Sequence, residues 1–294
     1  MDKRMKILFV AVFDRSYKST NNSQLRSLIQ DGHHVVGYNF KENAKKMGLS
    51  KRDDHLLEII KAGKFDHVLF SKGVNIDIFD RIKEYSKLSL WFMDPLSSYD
   101  KEMRTKTKIA DLFFCDKKNV LEVAREINPN SFRICEGYDQ FVDKPHDLTK
   151  KYDLSFIGSI YGDRDSKIRA IKRNISLFTN KYGSDHAKIV SQTRINLNLC
   201  TAHGASDRVY KIMASGGFLI SDDWDGREID FVDGEDLIIF KGPDDLNEKI
   251  DFYLQSPEKM KLISQNGYKK VQKFSRLAWA RNITGIMSNT PITK

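Results

Sequence analysis

Ser206-Asp-Arg-Val-Tyr-Lys-Ile-Met-Ala-Ser-Gly-Gly-Phe-Leu-Ile-Ser-Asp-Asp-Trp-Asp-Gly-Arg-Glu228 reads as a helix over 207–215, a stop at Gly216 and Gly217, a buried strand over 218–220 and an acidic loop reaching Glu228. A helix start carrying Arg208 is an anion site, because free backbone N–H groups and the helix dipole both favour phosphate there. Ser206 or Asp207 can cap that start, and the glycines can end the helix in a left-handed turn. In open α/β sheets, ligands sit outside the carboxyl ends of the strands, where the loop after this strand falls. The stretch therefore predicts a phosphate-bearing ligand beside a parallel sheet.

The rest of the chain extends that reading. In the first half, strands at 6–12, 34–38, 67–71, 88–92, 112–115 and 133–136 alternate with helices at 22–31, 55–62, 76–85, 101–109 and 119–127. Their near-continuous apolar runs suit parallel strands covered on both faces. Turn and charged residues over 137–152 make a linker. The second half then repeats the rhythm, with strands at 154–158, 175–178, 195–199, 218–220 and 237–240 and helices at 165–173, 185–192, 207–215, 244–255, 257–271 and 277–287. An α/β protein of two parallel-sheet domains follows.

The chain has 294 residues, 40% of them hydrophobic and 30% charged, the composition of a soluble globular protein. No apolar run approaches the ~18–20 residues of a membrane span. Three isolated cysteines, Cys115, Cys135 and Cys200, lack metal-ligand spacing and read as reduced thiols, so a cytoplasmic protein is expected. The net charge is +9. Two basic runs (Lys101, Arg104, Lys106, Lys108, and Arg164, Lys167, Arg169, Lys172, Arg173) read either as solvated helix faces or as attraction for a polyanion such as DNA or an anionic glycan. No Gly-x-Gly-x-x-Gly follows the first strand, which argues against a dinucleotide-binding dehydrogenase.

The 206–228 stretch resembles the donor-binding segment of the GT-B glycosyltransferases, in particular the CgeB-like (spore maturation protein-like) branch of the group 1 transferases. Residues 5–13 running into 19–32, 65–95, and Ser155-Phe-Ile-Gly-Ser-Ile-Tyr-Gly-Asp-Arg164 are similar to the same branch, in the same order. The resemblance implies two Rossmann-like domains with parallel sheets facing a central cleft. Residues 1–145 would form an acceptor domain and 146–275 a nucleotide-sugar-binding domain, with a helix over 276–294 crossing back to the first. It implies hexosyl or pentosyl transfer from a nucleotide sugar, UDP-linked by family frequency, to a hydroxyl on a surface glycan or on a hydroxylated base in DNA. No metal or other cofactor is expected. A non-catalytic nucleotide-sugar-binding protein of the same fold is the alternative.

Gly158, Ser159 and Arg164 fall in a turn that the resemblance places beside the donor phosphates. There, glycine allows close backbone approach and arginine neutralises pyrophosphate. Gly216 and Gly217 are carried over with the donor-binding segment. Many retaining GT-B enzymes have two glutamates eight positions apart, and His203 and Lys211 stand in those places here. Neither can accept two ribose hydroxyls as a carboxylate does, and Glu228 is the candidate substitute. Asp222, Asp223 and Asp225 read as turn caps. In the first half, Asp94 ends a buried strand and is the first candidate for the base that takes the acceptor's proton. Asp14, after the first strand, is the second.

Overall fold

The computed structural model describes residues 4–14, 20–200 and 206–291. The chain forms two compact units, one from residues 1–136 and 276–294, the other from 137–275. Residues 137–145, assigned above to the first domain, thus lie in the second unit.

Unit 1 runs β1 (Lys6–Ala11), α1 (Thr20–Gln30), β2 (His34–Asn39), α2 (Phe40–Met47), α3 (Leu49–Gly63), β3 (His67–Ser71), α4 (Phe79–Ile82), β4 (Lys87–Phe92), α5 (Lys101–Ile109), β5 (Leu112–Cys115), α6 (Lys118–Ile127) and β6 (Ser131–Arg133). The sheet order is β2-β1-β3-β4-β5-β6, and every pairing is parallel. Alternate residues point to opposite faces. Leu8, Val10, Val68, Phe70, Leu88 and Leu90 pack with α3 and α6 on one face.

Unit 2 runs β7 (Tyr152–Ile157), α7 (Arg164–Arg169), β8 (Ser176–Phe178), α8 (Gly183–Gln192), β9 (Thr193–Asn198), α9 (Asp207–Ala214), β10 (Leu219–Asp222), α10 (Arg227–Asp230), β11 (Ile238–Phe240), α11 (Pro243–Leu254) and α12 (Pro257–Val271). Its order is β11-β10-β9-β7-β8, again all parallel. One face is apolar, with Leu154, Phe156, Ile195, Leu197 and Ile220 in the core. The opposite face carries a buried polar file of Ser155, Asn196, Asn198 and Ser221, which satisfy one another and nearby carbonyls.

The chain then returns to unit 1 as α13 (Arg276–Asn289). Trp279, Ala280, Ile283 and Met287 cover the second sheet face over Ile7, Phe9, Leu69 and Trp91. Trp279 meets Trp91 edge-on with ring centres 5.7 Å apart. Without α13 that apolar face would meet water, so the last helix is part of the unit 1 core. Trp279→Ala should therefore lower the stability of unit 1 by about 3–5 kcal/mol. In urea unfolding followed by hydrogen exchange, protection should fall in β1 and β3 but not in β7 and β9.

The strand expected over 133–136 lies at Ser131–Arg133, the helix expected over 55–62 begins earlier, at Leu49, and two other helices are cut short. The helix over 76–85 shrinks to α4, because Asn75 takes a left-handed φ of 57° and the chain enters late. The helix over 165–173 stops at Arg169, where Asn247 accepts from the Lys172 N–H and donates to the Ala170 carbonyl.

Candidate active site

In unit 2 the strand order reverses at β7: the chain goes to β8 on one side and to β9 on the other. Loops that part at such a point leave room at the carboxyl edge of the sheet. Arg208 opens α9 there. Its Nε donates to the Ile157 carbonyl at 2.7 Å and its Nη1 to Asn198 Oδ1 at 3.0 Å. The guanidinium lies 4.8 Å from the centre of the Phe156 ring. Gly158 makes this fit possible, since a Cβ on it would stand 2.5 Å from Arg208 Nη2. The glycine expected to admit a ligand admits the guanidinium. Nη2 itself donates to nothing among the described residues.

Ser206 occupies the N-cap position of α9, but its side chain makes no capping bond and donates to Asn198 Oδ1 at 3.3 Å. Ser206 thus leaves the first turn of the helix uncapped by its own hydroxyl, as an anion site at a helix start requires. Arg164 has turned inward, only 5% exposed. Its Nε donates to the Leu199 carbonyl at 2.8 Å and its Nη1 to the Ser159 carbonyl at 2.9 Å, tying the loop after β7 to the end of β9. Ser159 contributes that carbonyl. Burial, and then the like charge of Arg164, pull the Arg208 pKa down to about 10. Arg208 stays charged at neutral pH, and an anion beside it would relieve the repulsion.

Lys167, one helical turn beyond Arg164, belongs to this edge as well. Its ammonium lies 2.6 Å from both Asp163 Oδ2 and Asp222 Oδ2 and donates to the Cys200 carbonyl at 3.2 Å. Burial alone would lower its pKa, but the hydrogen bonds to the two carboxylates raise it. A cavity of about 320 Å³ opens here, lined by Asp163, Lys167, Cys200, Asp222, Phe240 and Leu246. Asp222 also accepts from the Cys200 N–H, and Asp223 pairs with Arg227, so these acids serve the loop.

The remaining predicted donor residues divide. Lys211 forms an ion pair with Asp207 on its own helix, so its charge is committed there. Gly216 and Gly217 end α9: Gly216 has φ 73°, its N–H bonds to the Met213 carbonyl, and the Gly217 N–H bonds to the Ile212 carbonyl. That is a Schellman stop, about 12 Å along α9 from Arg208 at 1.5 Å per residue. The two glycines terminate the helix, at the end away from Arg208. Glu228 is exposed on α10. His203 lies outside the described residues.

His186 of α8 is buried behind this edge, and its Nδ1 has no partner among the described residues. Burial, then Lys211 and Arg208, pull its pKa down to about 3. In unit 1, burial and then Lys87 pull His67 down to about 4. Below the ordinary value of 6.5 the unfolded chain binds protons that these folded sites refuse. Stability is therefore full above pH 6.5 and drains as pH falls toward 4, by about 1.4 kcal/mol per pH unit for each histidine. Urea titrations at pH 7, 5.5 and 4.5 should show this loss, and His186→Gln should remove the share belonging to unit 2.

In unit 1, Asp94 follows β4 at the carboxyl edge. It caps nothing. Its two oxygens lie 2.7 and 2.6 Å from Lys72 Nζ, and both side chains are about a third exposed. Asp14 follows β1 in a loop held by amides: Asn21 donates to the Val12 carbonyl, Asn22 to that of Asp14, and Asn39 to that of Phe13. The site residues missed from sequence are Asn198, Lys167 and Lys72. Asn198 had a signal, since 194–199 alternates polar and apolar where a doubly covered strand should be apolar throughout.

A family model described as glycosyl transferase-like matches residues 140–287, half of the chain. The chain belongs to the glycosyl transferase-like family. No curated protein matches the sequence. Among solved structures, Anabaena HepE in complex with UDP-glucose is similar at 11% identity with a TM-score of 0.72, over 98% of this chain and 100% of that one. A glycosyltransferase from Rickettsia africae is similar at 13% identity with a TM-score of 0.69, over 98% and 100%. Sucrose-phosphate synthase from Thermosynechococcus elongatus is similar at 10% identity with a TM-score of 0.67, over 96% and 98%. At such identities the likeness is one of fold: two parallel-sheet α/β units, as in GT-B glycosyltransferases. Among the described residues no helix is long and apolar enough to cross a membrane.

Proposed function

We propose that this chain transfers a hexosyl or pentosyl unit from a UDP-linked sugar held on unit 2 to an acceptor hydroxyl, in the cytoplasm. The observation that carries the reading is Arg208, seated at the switch point through the absence of a Cβ on Gly158, at the start of α9 that the Ser206 hydroxyl does not cap. Family membership supports transfer, and the UDP and UDP-glucose complexes of HepE support the choice of donor. The diphosphate charge is met by Arg208 and the α9 N–H groups, with no bound metal in the scheme. We assign the chain to the CgeB-like branch on the segments 155–164 and 206–228.

Asp94 is the proposed base, activated when the acceptor displaces one of the contacts to Lys72. For the acceptor, the basic runs favour a non-nucleic molecule. Lys106 is buried against the Gly73 carbonyl and Glu102, while Arg169 and Arg173 are paired with Asp165 and Asp251. Lys101, Arg104 and Lys108 remain exposed without an ion pair among the described residues, a short patch and not a track for phosphates along a DNA strand. A hydroxylated DNA base remains the second acceptor class, and steep salt dependence of binding to duplex DNA would favour it.

The Lys211–Asp207 pair, where a ribose-binding carboxylate is expected, favours a second reading: a nucleotide-sugar binder without catalysis. Release of free sugar from UDP-glucose and other UDP-sugars, measured without acceptor, separates the two. A transferase releases sugar slowly by transfer to water, and a binder releases none.

A further inference from the structure

Unit 1 contains a cavity of about 540 Å³ at its own switch point, where the order β2-β1-β3 reverses at β1. That volume lies within the ~300–1,000 Å³ of small-molecule sites. Its walls are Val12, Phe40, Ala44, Leu49, Val74 and Met93, and its polar lining includes Lys41, Arg52, Ser71 and Lys72. Among the described residues, three cations and no carboxylate line the space.

The cations differ. Arg52 is fixed by Asp53 and the Asn75 carbonyl, and Lys72 by Asp94. Lys41, exposed in the first turn of α2, makes no ion pair among the described residues. Ser71 supplies an independent sign of a ligand: it is 3% exposed, lies on the wall, and its hydroxyl has no hydrogen-bond partner among the described residues. A buried hydroxyl without a partner is costly unless something else occupies the space beside it. The wall from Lys72 to Asn75 is set in place, with Lys72 and Asn75 held at φ 66° and 57° by the Trp91 carbonyl and Glu102 Oε1.

We propose that this cavity binds an organic anion with an apolar body, the body against Phe40, Leu49 and Met93, the charge at Lys41, and a hydroxyl or carbonyl at Ser71. That this molecule is the one glycosylated rests on the transferase reading; the binding itself does not. A purely polar glycan cannot use the apolar walls, and a neutral apolar compound leaves Lys41 unanswered.

The test uses the full chain and three probes followed by ligand-observed NMR: 4-hydroxybenzoate, its neutral analogue 4-hydroxybenzamide, and glucuronate, an anion without an apolar body. 4-Hydroxybenzoate should bind at least about tenfold more tightly than either of the others, a difference of about 1.4 kcal/mol. Lys41→Glu and Val74→Glu, both at exposed positions, should abolish the preference while the thermal midpoint stays unchanged. Equal binding of the amide or of glucuronate, no binding of any probe, or a preference that survives Lys41→Glu would each overturn the proposal. UDP titrated into the same samples keeps the two readings apart. Loss of UDP binding with retained benzoate binding would remove the transferase reading and leave this site standing.

Discussion

Asp94→Asn should lower sugar transfer on the order of 10²–10⁴-fold while leaving UDP affinity unchanged. The substitution keeps the shape of the side chain and one acceptor for Lys72, but removes the group that can take a proton. Asp94 lies in unit 1 and the donor site in unit 2, so a change in donor affinity is not expected. Its side chain caps no helix or turn: the short helical turn after Pro95 has no side-chain cap, and both Asp94 oxygens go to Lys72. A folding defect is therefore not expected either. If Asp94 serves only to hold Lys72, turnover in the variant will stay near normal, and the base must be sought elsewhere, first at Asp14.

Arg208→Ala should weaken UDP binding by about tenfold or more, because a charge-assisted hydrogen bond contributes roughly 1.5–3 kcal/mol. Arg208→Lys tests the geometry. It keeps the charge, but its three N–H groups sit on one nitrogen and cannot span the separate positions that Nε, Nη1 and Nη2 of the planar guanidinium cover. The lysine variant should fall between wild type and alanine. Gly158→Ala should behave like a mild Arg208 variant, since its methyl occupies the space of Nη2. Calorimetry on the three proteins gives the order, and equal affinity across them would remove Arg208 from the site.

The fold was legible because both sheets are largely buried, so that β1, β3 and β4 announce themselves as apolar runs. Elements with little apolar content were harder to read. In α2 only Phe40 is buried, and the surviving signal is the pair Asn39 and Glu42, which bonds as a helix start when Asn39 accepts from the Glu42 N–H. The position of Arg208 at a helix start was legible because backbone geometry speaks through sequence there, whereas Gly158, read as room for a ligand, makes room for the Arg208 guanidinium. The site was not legible where a side chain's partner comes from far along the chain. Lys167 looks like one lysine in a basic helix until Asp222, 55 positions later, folds onto it. Lys72 and Asp94 likewise meet only because β3 and β4 are neighbours. Gly216 and Gly217 were legible as the helix stop they form, because a left-handed turn after a helix favours glycine.

The central claim is that unit 2 binds a uridine diphosphate through the start of α9. Titration of UDP into this chain by calorimetry tests it most directly. The account predicts a single site that saturates without added metal and is weakened at least about tenfold by Arg208→Ala. Absence of any UDP binding, or binding that Arg208→Ala leaves untouched, would contradict it.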